Sequence, residues 1–357
     1  MSIELACFIS PHVFGHATRT VALLQALRTQ VPELTARLFT VAPESLFKNS
    51  GVNYSYHHFV TDIGLVQNDA FRENRNQTIE KLAELLPFRD SLISHCADLC
   101  RSSQLILCDI SCLGIEVGQA AAIPSILIEN FTWNWIYSRM ASGNLENSGF
   151  EPFINLFSSY CQRVDYRIQT EPVCNPIPCD FNCAPMARKR ILGRSRIRYT
   201  LGVGEKKAVL ISMGGVALDL PFLEQLKKYD RYLFIVAGQS QGSHLGDNVR
   251  LLGPGNNLHH PDLINGCDLL ICKSGYSTIA ECLQTRTPIC CIARESFAES
   301  PVLEAFVSSE MNGVIIDTVS FLGGDWLEEL PQMLENRRNP APVNGADQAA
   351  EFIGSLL

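Results

Sequence analysis

Two residues, His16 and Asp109, are of the types needed for general-base chemistry. His16 lies in the loop after the first apolar run of the sequence, and Asp109 closes a later apolar run. An imidazole can take a proton from a hydroxyl group, and a carboxylate bonded to its other nitrogen fixes the tautomer and raises the basicity. His16 is therefore a candidate base that Asp109 would hold, with His12 as the second candidate. The alternative is a structural histidine that is hydrogen-bonded to the loop around Gly15.

A second set of residues, which runs from Lys273 to Thr278 and includes Glu281 beyond it, is suited to binding phosphate and a diol. Ser274 and Gly275 precede a predicted helix that has Thr278 in its first turn. Backbone N–H groups and the dipole at the start of a helix favour a diphosphate, and a glycine lets the ligand approach the backbone closely. Glu281, one turn further along, can accept hydrogen bonds from a ribose diol. The alternative is an ordinary capped helix with a partly buried glutamate.

Further candidate ligand contacts also follow predicted strands, where open parallel sheets bind their ligands. One group lies in glycine-containing loops: Gly15, Gly214, Gly215 and Gln239. Another group comprises Asp62, in the polar stretch 62–73, together with Asn130 and Trp133, in the aromatic run 130–137. Aromatic rings at a strand end can stack on a sugar or a base. A helix that packs these rings into the core is the favoured interpretation of the run.

Other kinds of chemistry are disfavoured by the motifs. The sequence has no G-x-x-x-x-G-K-[ST] motif and no G-x-G-x-x-G after either half's first strand, which argues against a P-loop NTPase and a nicotinamide enzyme. The three thiols of Cys174, Cys179 and Cys183 could bind zinc, but they lack the tight C-x2-C spacing and an obvious fourth ligand. His259 and His260 are adjacent at a predicted helix start and point in different directions. The sequence therefore predicts no metal site.

Composition bounds the class of protein. The chain has 357 residues, of which 46% are apolar, enough for the cores of two domains. A net charge of −8 makes nucleic acid an unfavourable partner, and the basic residues between 188 and 198 are interpreted as a solvated linker. The sequence predicts no transmembrane segment and no signal peptide, and hence a cytoplasmic location. The 14 cysteines are then expected to be reduced core thiols.

Strand-like apolar runs alternate with helical periodicity in both halves of the chain, which predicts an α/β fold with parallel sheets. Helices are expected at 17–29, through a long stretch from about 73 to 101, and at 219–228. A stretch rich in proline and cysteine, followed by the basic run, indicates a linker. The predicted organisation is a Rossmann-like domain at 1–170, a linker at 171–200, a second Rossmann-like domain at 201–340, and a terminal helix at 341–357.

The order of these motifs resembles that of glycosyltransferases with the GT-B fold, in which two Rossmann-like domains face each other across a cleft. Lys273 to Glu281 is similar to the donor-binding motif of the lipid-linked N-acetylglucosaminyl transferase of peptidoglycan synthesis. The resemblance implies that Ser274 and Gly275 contact the diphosphate, with the Gly214–Gly215 loop, and that Glu281 contacts the ribose. It also implies that Glu299, or alternatively Glu295, binds the donor sugar. Lys273 or Arg294 would then stabilise the departing diphosphate.

A closer resemblance, over nearly the whole chain, is to the N-terminal glycosyltransferase-like region of plant L-arabinose kinases. It is carried by the stretches 14–19, 62–70, 130–137, 275–281 and 294–301. The resemblance does not extend to the sugar-kinase half of those proteins, so kinase activity is not expected.

Together the two resemblances predict transfer of a sugar from a nucleotide sugar, in particular a UDP-sugar, to an unknown hydroxyl-bearing acceptor. Asp62, Asn130 and Trp133 would lie on the acceptor side and the other ligand contacts on the donor side. No Asp-x-Asp metal motif follows a strand, which suits a metal-independent reaction with the nucleotide sugar as co-substrate and no cofactor. The alternatives are a non-catalytic nucleotide-sugar-binding module and a nucleotide-sugar epimerase.

Overall fold

A computed structural model of the chain describes residues 3–141, 149–214, 219–239, 241–253, 258–335 and 340–357. The chain divides into two compact units. Unit 1 comprises Met1–Val66, Asn74–Arg188 and Val343–Leu357, and unit 2 comprises Gln67–Glu73 and Lys189–Pro342.

Unit 1 is built on a parallel sheet of seven strands within the described residues, in the order β3-β2-β1-β4-β5-β6-β7. Its central strands are apolar and buried on both faces, as expected of a parallel sheet covered by helices on both sides. The strands are β1 Glu4–Ile9, β2 Thr35–Thr40, β3 Asn53–His58, β4 Leu105–Asp109, β5 Ser125–Glu129, β6 Tyr166–Thr170 and β7 Phe181–Cys183.

The helices of unit 1 that follow β1 to β5 are α1 Gly15–Gln30, α2 Arg75–Leu85, α3 Asp90–Cys100, α4 Cys112–Ala121, α5 Trp133–Met140 and α6 Glu151–Cys161. A short 3-10 helix covers Glu44–Phe47. The long helical stretch predicted between about 73 and 101 is two helices, because Pro87 lies between α2 and α3 and cannot donate a helical hydrogen bond.

The sheet of unit 1 reverses its strand order between β1 and β4. These two strands pair in parallel with Ile9 opposite Asp109, so the loops that leave their carboxyl ends start side by side. The point of reversal is where open α/β sheets hold ligands. It is also where the chain turns into α1, and it therefore places the start of α1 beside Asp109.

Unit 2 repeats the architecture with the described strand order β10-β11-β9-β8-β12-β13-β14, and its reversal lies between β8 and β12. The pairing of β10 with β11 is antiparallel and the other pairings are parallel. The strands are β8 Lys207–Ser212, β9 Tyr232–Ala237, β10 Ser243–Leu245, β11 Val249–Leu252, β12 Leu269–Lys273, β13 Ile289–Ile292 and β14 Val314–Ile316.

The described helices of unit 2 are α7 Arg194–Thr200, α8 Leu223–Leu226, α9 His260–Gly266, α10 Tyr276–Thr285, α11 Ser300–Met311, α12 Thr318–Gly323 and α13 Leu330–Leu334, with a 3-10 helix at Asp325–Glu329. They cover both faces of the sheet with apolar clusters. The helix predicted at 219–228 is shorter, because only Leu223–Leu226 is α-helical after Pro221.

The predicted linker at 171–200 is not a continuous linker. Its first part carries β7, which extends the sheet of unit 1, and its last part carries α7, which packs in the core of unit 2. The change of unit falls between Arg188 and Lys189.

The last helix is α14, Gly345–Gly354, and it packs on α1 in unit 1. No helix in the described ranges is both long enough and apolar enough to cross a membrane.

Candidate functional site

The first candidate group in unit 1 is the pair of His16 and Asp109 at the strand reversal. His16 lies in the first turn of α1, and its Nδ1 is 2.8 Å from Oδ1 of Asp109. Both side chains are buried, with 8% of His16 and 3% of Asp109 exposed. An ionised carboxylate only accepts hydrogen bonds, so Nδ1 carries the proton and donates it to Asp109. Nε2 is therefore the basic nitrogen of the ring.

Arg19, one turn along α1, forms a buried ion pair with Asp109. Its Nε donates to Oδ2 of Asp109 at 2.9 Å, and one terminal nitrogen bonds to Oδ1. The other terminal nitrogen donates to Asn130 Oδ1, and Thr20 Oγ1 also donates to Asp109. This network fixes the carboxylate from two sides, and the carboxylate fixes the imidazole.

The network also sets the protonation of the pair. Burial lowers the pKa of His16; the hydrogen bond and charge of Asp109 oppose this, while the charge of Arg19 adds to it. Burial by itself raises the pKa of Asp109, but the charge of Arg19 and the hydrogen bonds from His16 and Arg19 bring that pKa below its ordinary value. The carboxylate is therefore ionised and the imidazole neutral at neutral pH, which is the state that a general base requires.

The residues predicted for the acceptor side are placed inside unit 1. Asp62, Asn130 and Trp133 are 1–2% exposed. Trp133 Nε1 donates to Asp62 Oδ2 at 3.1 Å, Ser10 Oγ donates to Asp62 Oδ1 at 2.8 Å, and Asn130 holds Arg19. Burial raises the pKa of Asp62 to about 7, although the hydrogen bonds from Ser10 and Trp133 oppose that rise. These three side chains are therefore buried and hydrogen-bonded within unit 1, and the rings of Phe131, Trp133 and Tyr137 in the aromatic run are buried in the core.

In unit 2, Lys273 ends β12 and is buried, although a lysine in water is cationic at neutral pH. Burial lowers its pKa to about 7, and the charge of Arg294 adds to this effect. Gly214, which follows β8, has a φ of +63°, and a Cβ there would lie 3.3 Å from Cε of Lys273. Glycine is suited to this position because only glycine adopts such a φ without strain.

Arg294 and Glu299, which follow β13, form a second buried ionic group with Lys273. Arg294 Nη1 is 3.8 Å from Glu299 Oε1 and donates to the carbonyl oxygen of Ser274 at 3.2 Å. The guanidinium also lies over the ring of Phe297, 3.2 Å from its centroid. We call Lys273, Arg294, Glu299 and Glu73, which acts electrostatically on both Arg294 and Glu299, the ionic cluster.

Several polar atoms of the ionic cluster are buried without a hydrogen-bond partner: Nε and Nη2 of Arg294, Oε2 of Glu299 and Oε2 of Glu73. Burial raises the pKa of Glu299 and lowers that of Arg294, in each case opposed by the charge of the other residue. An unpaired buried polar group is costly, so a concentration of both donors and acceptors indicates a site that a polar ligand completes.

Ser274 lies beside this cluster, and its hydroxyl has a protein partner. Ser300 Oγ donates to Glu304 Oε1 at 2.6 Å, so the contact of 2.9 Å between Ser274 Oγ and Ser300 Oγ has Ser274 as the donor. The hydroxyl proton of Ser274 is therefore directed into the protein. Gly275 is the N-cap of α10, and a Cβ there would meet only the carbonyl oxygen of Lys273, 3.9 Å away.

Glu281 contacts His260, which the sequence analysis considered only as a metal ligand and rejected. His260 Nδ1 lies 2.8 Å from Oε2 of Glu281, and His260 Nε2 lies 3.0 Å from Oγ of Ser212. Ser212 ends β8 and is paired in register with Cys272 of β12, at the strand reversal of unit 2.

The remaining predicted contacts follow strands or lie at the starts of helices. Gly15 begins α1 and its carbonyl oxygen accepts from Thr18, the half-buried Gln239 follows β9 and its N–H donates to Leu252, and the half-buried Thr278 is in the first turn of α10. Gly215 lies outside the described residues. Among the residues described, no three His, Cys, Asp or Glu side chains are grouped to hold a metal ion, the three cysteines of the proline-rich stretch included.

Three residues of these groups were missed by sequence reasoning: Arg19, Glu73 and His260. Of the three, only Arg19 could have been found from the sequence, because it lies three positions after His16 and so shares a helix face with it. Nothing in the sequence links Glu73 to residues beyond 290, or His260 to Glu281.

Comparison with solved structures identifies the architecture. The calicheamicin glycosyltransferase CalG4 superposes with a TM-score of 0.66 at 11% sequence identity, over 100% of this chain and 99% of that one. The spinosyn rhamnosyltransferase SpnG gives a TM-score of 0.62 at 14% identity, over 99% of this chain and 95% of that one.

The chain has the GT-B fold. This confirms the predicted fold class of two Rossmann-like parallel-sheet domains. Both strand reversals therefore lie in the Rossmann-like domains of a GT-B fold.

A sequence comparison finds a curated relative, the L-arabinokinase of Arabidopsis thaliana. It is 25% identical over 363 residues, which cover 98% of this chain and 34% of that protein. The chain thus spans about a third of the length of this relative. No family model matches the sequence.

Proposed function

We propose that the protein transfers a sugar from a nucleotide sugar, most simply a UDP-sugar, to a hydroxyl-bearing acceptor without a metal ion. The observation that carries the proposal is the ionic cluster at the carboxyl ends of β12 and β13, with its buried unpaired donors and acceptors. A sugar hydroxyl both donates and accepts, so a polyhydroxylated group can satisfy Arg294, Glu299 and Glu73 together. A bare anion would leave the two carboxylates unpaired.

The donor is proposed to bind to unit 2. Gly214, Gly275 and the start of α10 would approach the diphosphate, where the helix dipole favours negative charge. Glu281 would bind the ribose, and Glu299 the transferred sugar. One solved structure of the neighbour SpnG is described as complexed with thymidine diphosphate, which supports a nucleoside diphosphate as ligand.

The chemical step is proposed to be a direct displacement. Nε2 of His16 takes the proton of the acceptor hydroxyl while the acceptor oxygen forms a bond to the anomeric carbon. The bond between that carbon and the diphosphate oxygen breaks, and the nucleoside diphosphate leaves with the electron pair. Lys273, Arg294 and the dipole of α10 stabilise the charge on the departing diphosphate.

A thermal-shift screen against UDP-, GDP- and dTDP-sugars tests the proposal. At least one nucleotide sugar is expected to raise the melting temperature in a concentration-dependent way. The substitution Glu299→Gln should reduce the preference for the nucleotide sugar over the free nucleoside diphosphate about tenfold, since a hydrogen bond to a charged acceptor is lost. Glu310→Gln, at an exposed position of α11, the helix whose N-cap is Glu299, is the matched control. The absence of a shift with every nucleotide sugar would contradict the proposal.

Donor affinity is also expected to depend on pH through Lys273. A bound diphosphate stabilises the ammonium form, whose pKa is about 7 in the ligand-free protein, so binding takes up a proton. Affinity should be highest below pH 7 and fall by up to about tenfold per pH unit above it. A sugar diphosphate has no phosphate group that titrates in this range.

Calorimetry from pH 6 to 9, in buffers with different ionisation enthalpies, measures this proton uptake directly. Lys273→Met is expected to bind more weakly at pH 6 and to show a flat profile, whereas Lys228→Met, at an exposed lysine, should retain the wild-type profile. A wild-type profile that is already flat from pH 6 to 9 would rule out Lys273 as a diphosphate contact.

A non-catalytic nucleotide-sugar-binding module is the second candidate function. It is favoured by the match to about a third of a relative whose name describes a kinase. Such a module would give the same thermal shifts but no release of nucleoside diphosphate. L-Arabinose, the sugar in the name of that relative, is a reasonable first acceptor for a turnover assay that separates the two candidates.

A further inference from the structure

Three side chains of unit 2 form a continuous hydrogen-bonded chain at its strand reversal. Ser212 comes from the end of β8, His260 from the first position of α9 and Glu281 from the middle of α10. The distances are 3.0 Å between Ser212 Oγ and His260 Nε2, and 2.8 Å between His260 Nδ1 and Glu281 Oε2. Three elements that are far apart in sequence are therefore joined through one imidazole ring.

The direction of these hydrogen bonds follows from the chemistry of the partners. The ionised carboxylate of Glu281 only accepts, so Nδ1 of His260 carries the proton and donates it. Nε2 then accepts from the hydroxyl of Ser212. With both nitrogens engaged, the ring of His260 cannot rotate without breaking a hydrogen bond, and Ser212 fixes the tautomer that holds Glu281.

The carboxylate of Glu281 is more deeply buried than the imidazole that holds it. The side chain of Glu281 is 2% exposed and that of His260 is 23% exposed. A carboxylate offers about four lone-pair positions, so the hydrogen bond from His260 to Oε2 orients the group without using all of its capacity to accept hydrogen bonds. Without His260, the buried carboxylate would lose this hydrogen bond, which orients it at present.

We propose that His260 is a positioning residue of the nucleotide site, which orients Glu281 toward a ribose diol and so makes the site select ribonucleotides over 2′-deoxyribonucleotides. This inference rests on the proposed function, because it takes the ribose of a nucleotide as the ligand of Glu281. It predicts a property that nucleotide binding alone does not require, namely discrimination at a single hydroxyl group.

Isothermal titration with UDP, GDP and their 2′-deoxy counterparts tests the inference. The wild-type protein should bind the ribonucleotide at least about tenfold more tightly than its deoxy form, since one hydrogen bond to a charged acceptor is lost. His260→Ala is expected to reduce this ratio to about one by weakening ribonucleotide binding, with little change for the deoxy form. His260→Asn should restore part of the ratio, because its amide N–H can donate to Glu281.

His259→Ala is the matched control, since it removes the neighbouring imidazole, whose Nε2 donates instead to the carbonyl oxygen of Lys189. It should retain the wild-type ratio. Equal weakening of the ribo and deoxy forms in His260→Ala would show a merely structural role or ring stacking, and an unchanged ratio would show no role. Either result overturns this inference alone. Failure of the wild-type protein to bind any of the four nucleotides also overturns the inference. The proposed function fails with it only if no nucleotide sugar raises the melting temperature either.

Discussion

Replacement of His16 by alanine is expected to lower kcat for sugar transfer by about 10²- to 10⁴-fold, which is the usual contribution of a general base. The affinity for the nucleotide sugar should stay the same, because the proposed donor contacts belong to unit 2. Release of nucleoside diphosphate measures turnover, and the thermal shift measures binding. If the protein is instead a non-catalytic module, neither the wild-type protein nor the His16→Ala variant should release nucleoside diphosphate.

The pH dependence gives this prediction a second readout. Burial lowers the pKa of His16, and the base form is therefore retained below the ordinary histidine range. Wild-type kcat should be constant through neutral pH and fall only on the acidic side, as the imidazole becomes protonated.

His12→Ala is the informative control for His16, because His12 is the other candidate base. Its Nδ1 accepts from the N–H of Leu65, and its ring packs edge-on against Trp133. These contacts fit a structural role, so the variant should lose stability while keeping most of its kcat. Full turnover in His16→Ala, combined with its loss in His12→Ala, would transfer the role of base to His12.

The fold could be predicted from the sequence because its signals are local. Buried parallel strands such as β1 and β4 are continuous apolar runs, and the loops that follow them carry the glycines and polar residues. Adjacent strands bring His16 and Asp109 together, so residues 93 positions apart could be paired before their distance was known. The edge strand β3 gave no such signal, since it alternates polar and aromatic residues and is only partly buried.

The partners that complete each group could not be predicted, since tertiary packing decides them. A charged residue on a helix, such as Arg19, is ordinarily solvated, and only the position of Asp109 makes its burial favourable. Adjacent histidines at a helix start gave no reason to connect His260 with Glu281, because that contact depends on how α9 packs against α10. Glu73 is more than 200 positions from Arg294, and a short hairpin of residues 67–73 carries it into unit 2.

The largest effect on stability is expected from Asp109→Asn. The substitution leaves the guanidinium of Arg19 buried without a counter-charge, and breaking a buried pair in this way costs about 3–5 kcal/mol. Arg19→Met is expected to destabilise the protein as well, because Asp109 then keeps only its hydrogen bonds with His16 and Thr20. Urea denaturation measures both changes as free energies of unfolding.

The double variant Arg19→Met with Asp109→Asn separates the structural part of this network from its catalytic part. With both charges removed, the double variant should be more stable than the sum of the two single changes predicts, by about 0.5–3 kcal/mol for residues in direct contact. Its kcat should nevertheless stay low, since the amide at position 109 carries no charge to stabilise the imidazolium that forms on His16.

Arg19→Met alone should move the acidic limb of the pH profile of kcat to higher pH, because the charge of Arg19 lowers the pKa of His16. Additive losses of stability together with an unshifted limb would show that Arg19 neither pairs with Asp109 in solution nor tunes the base.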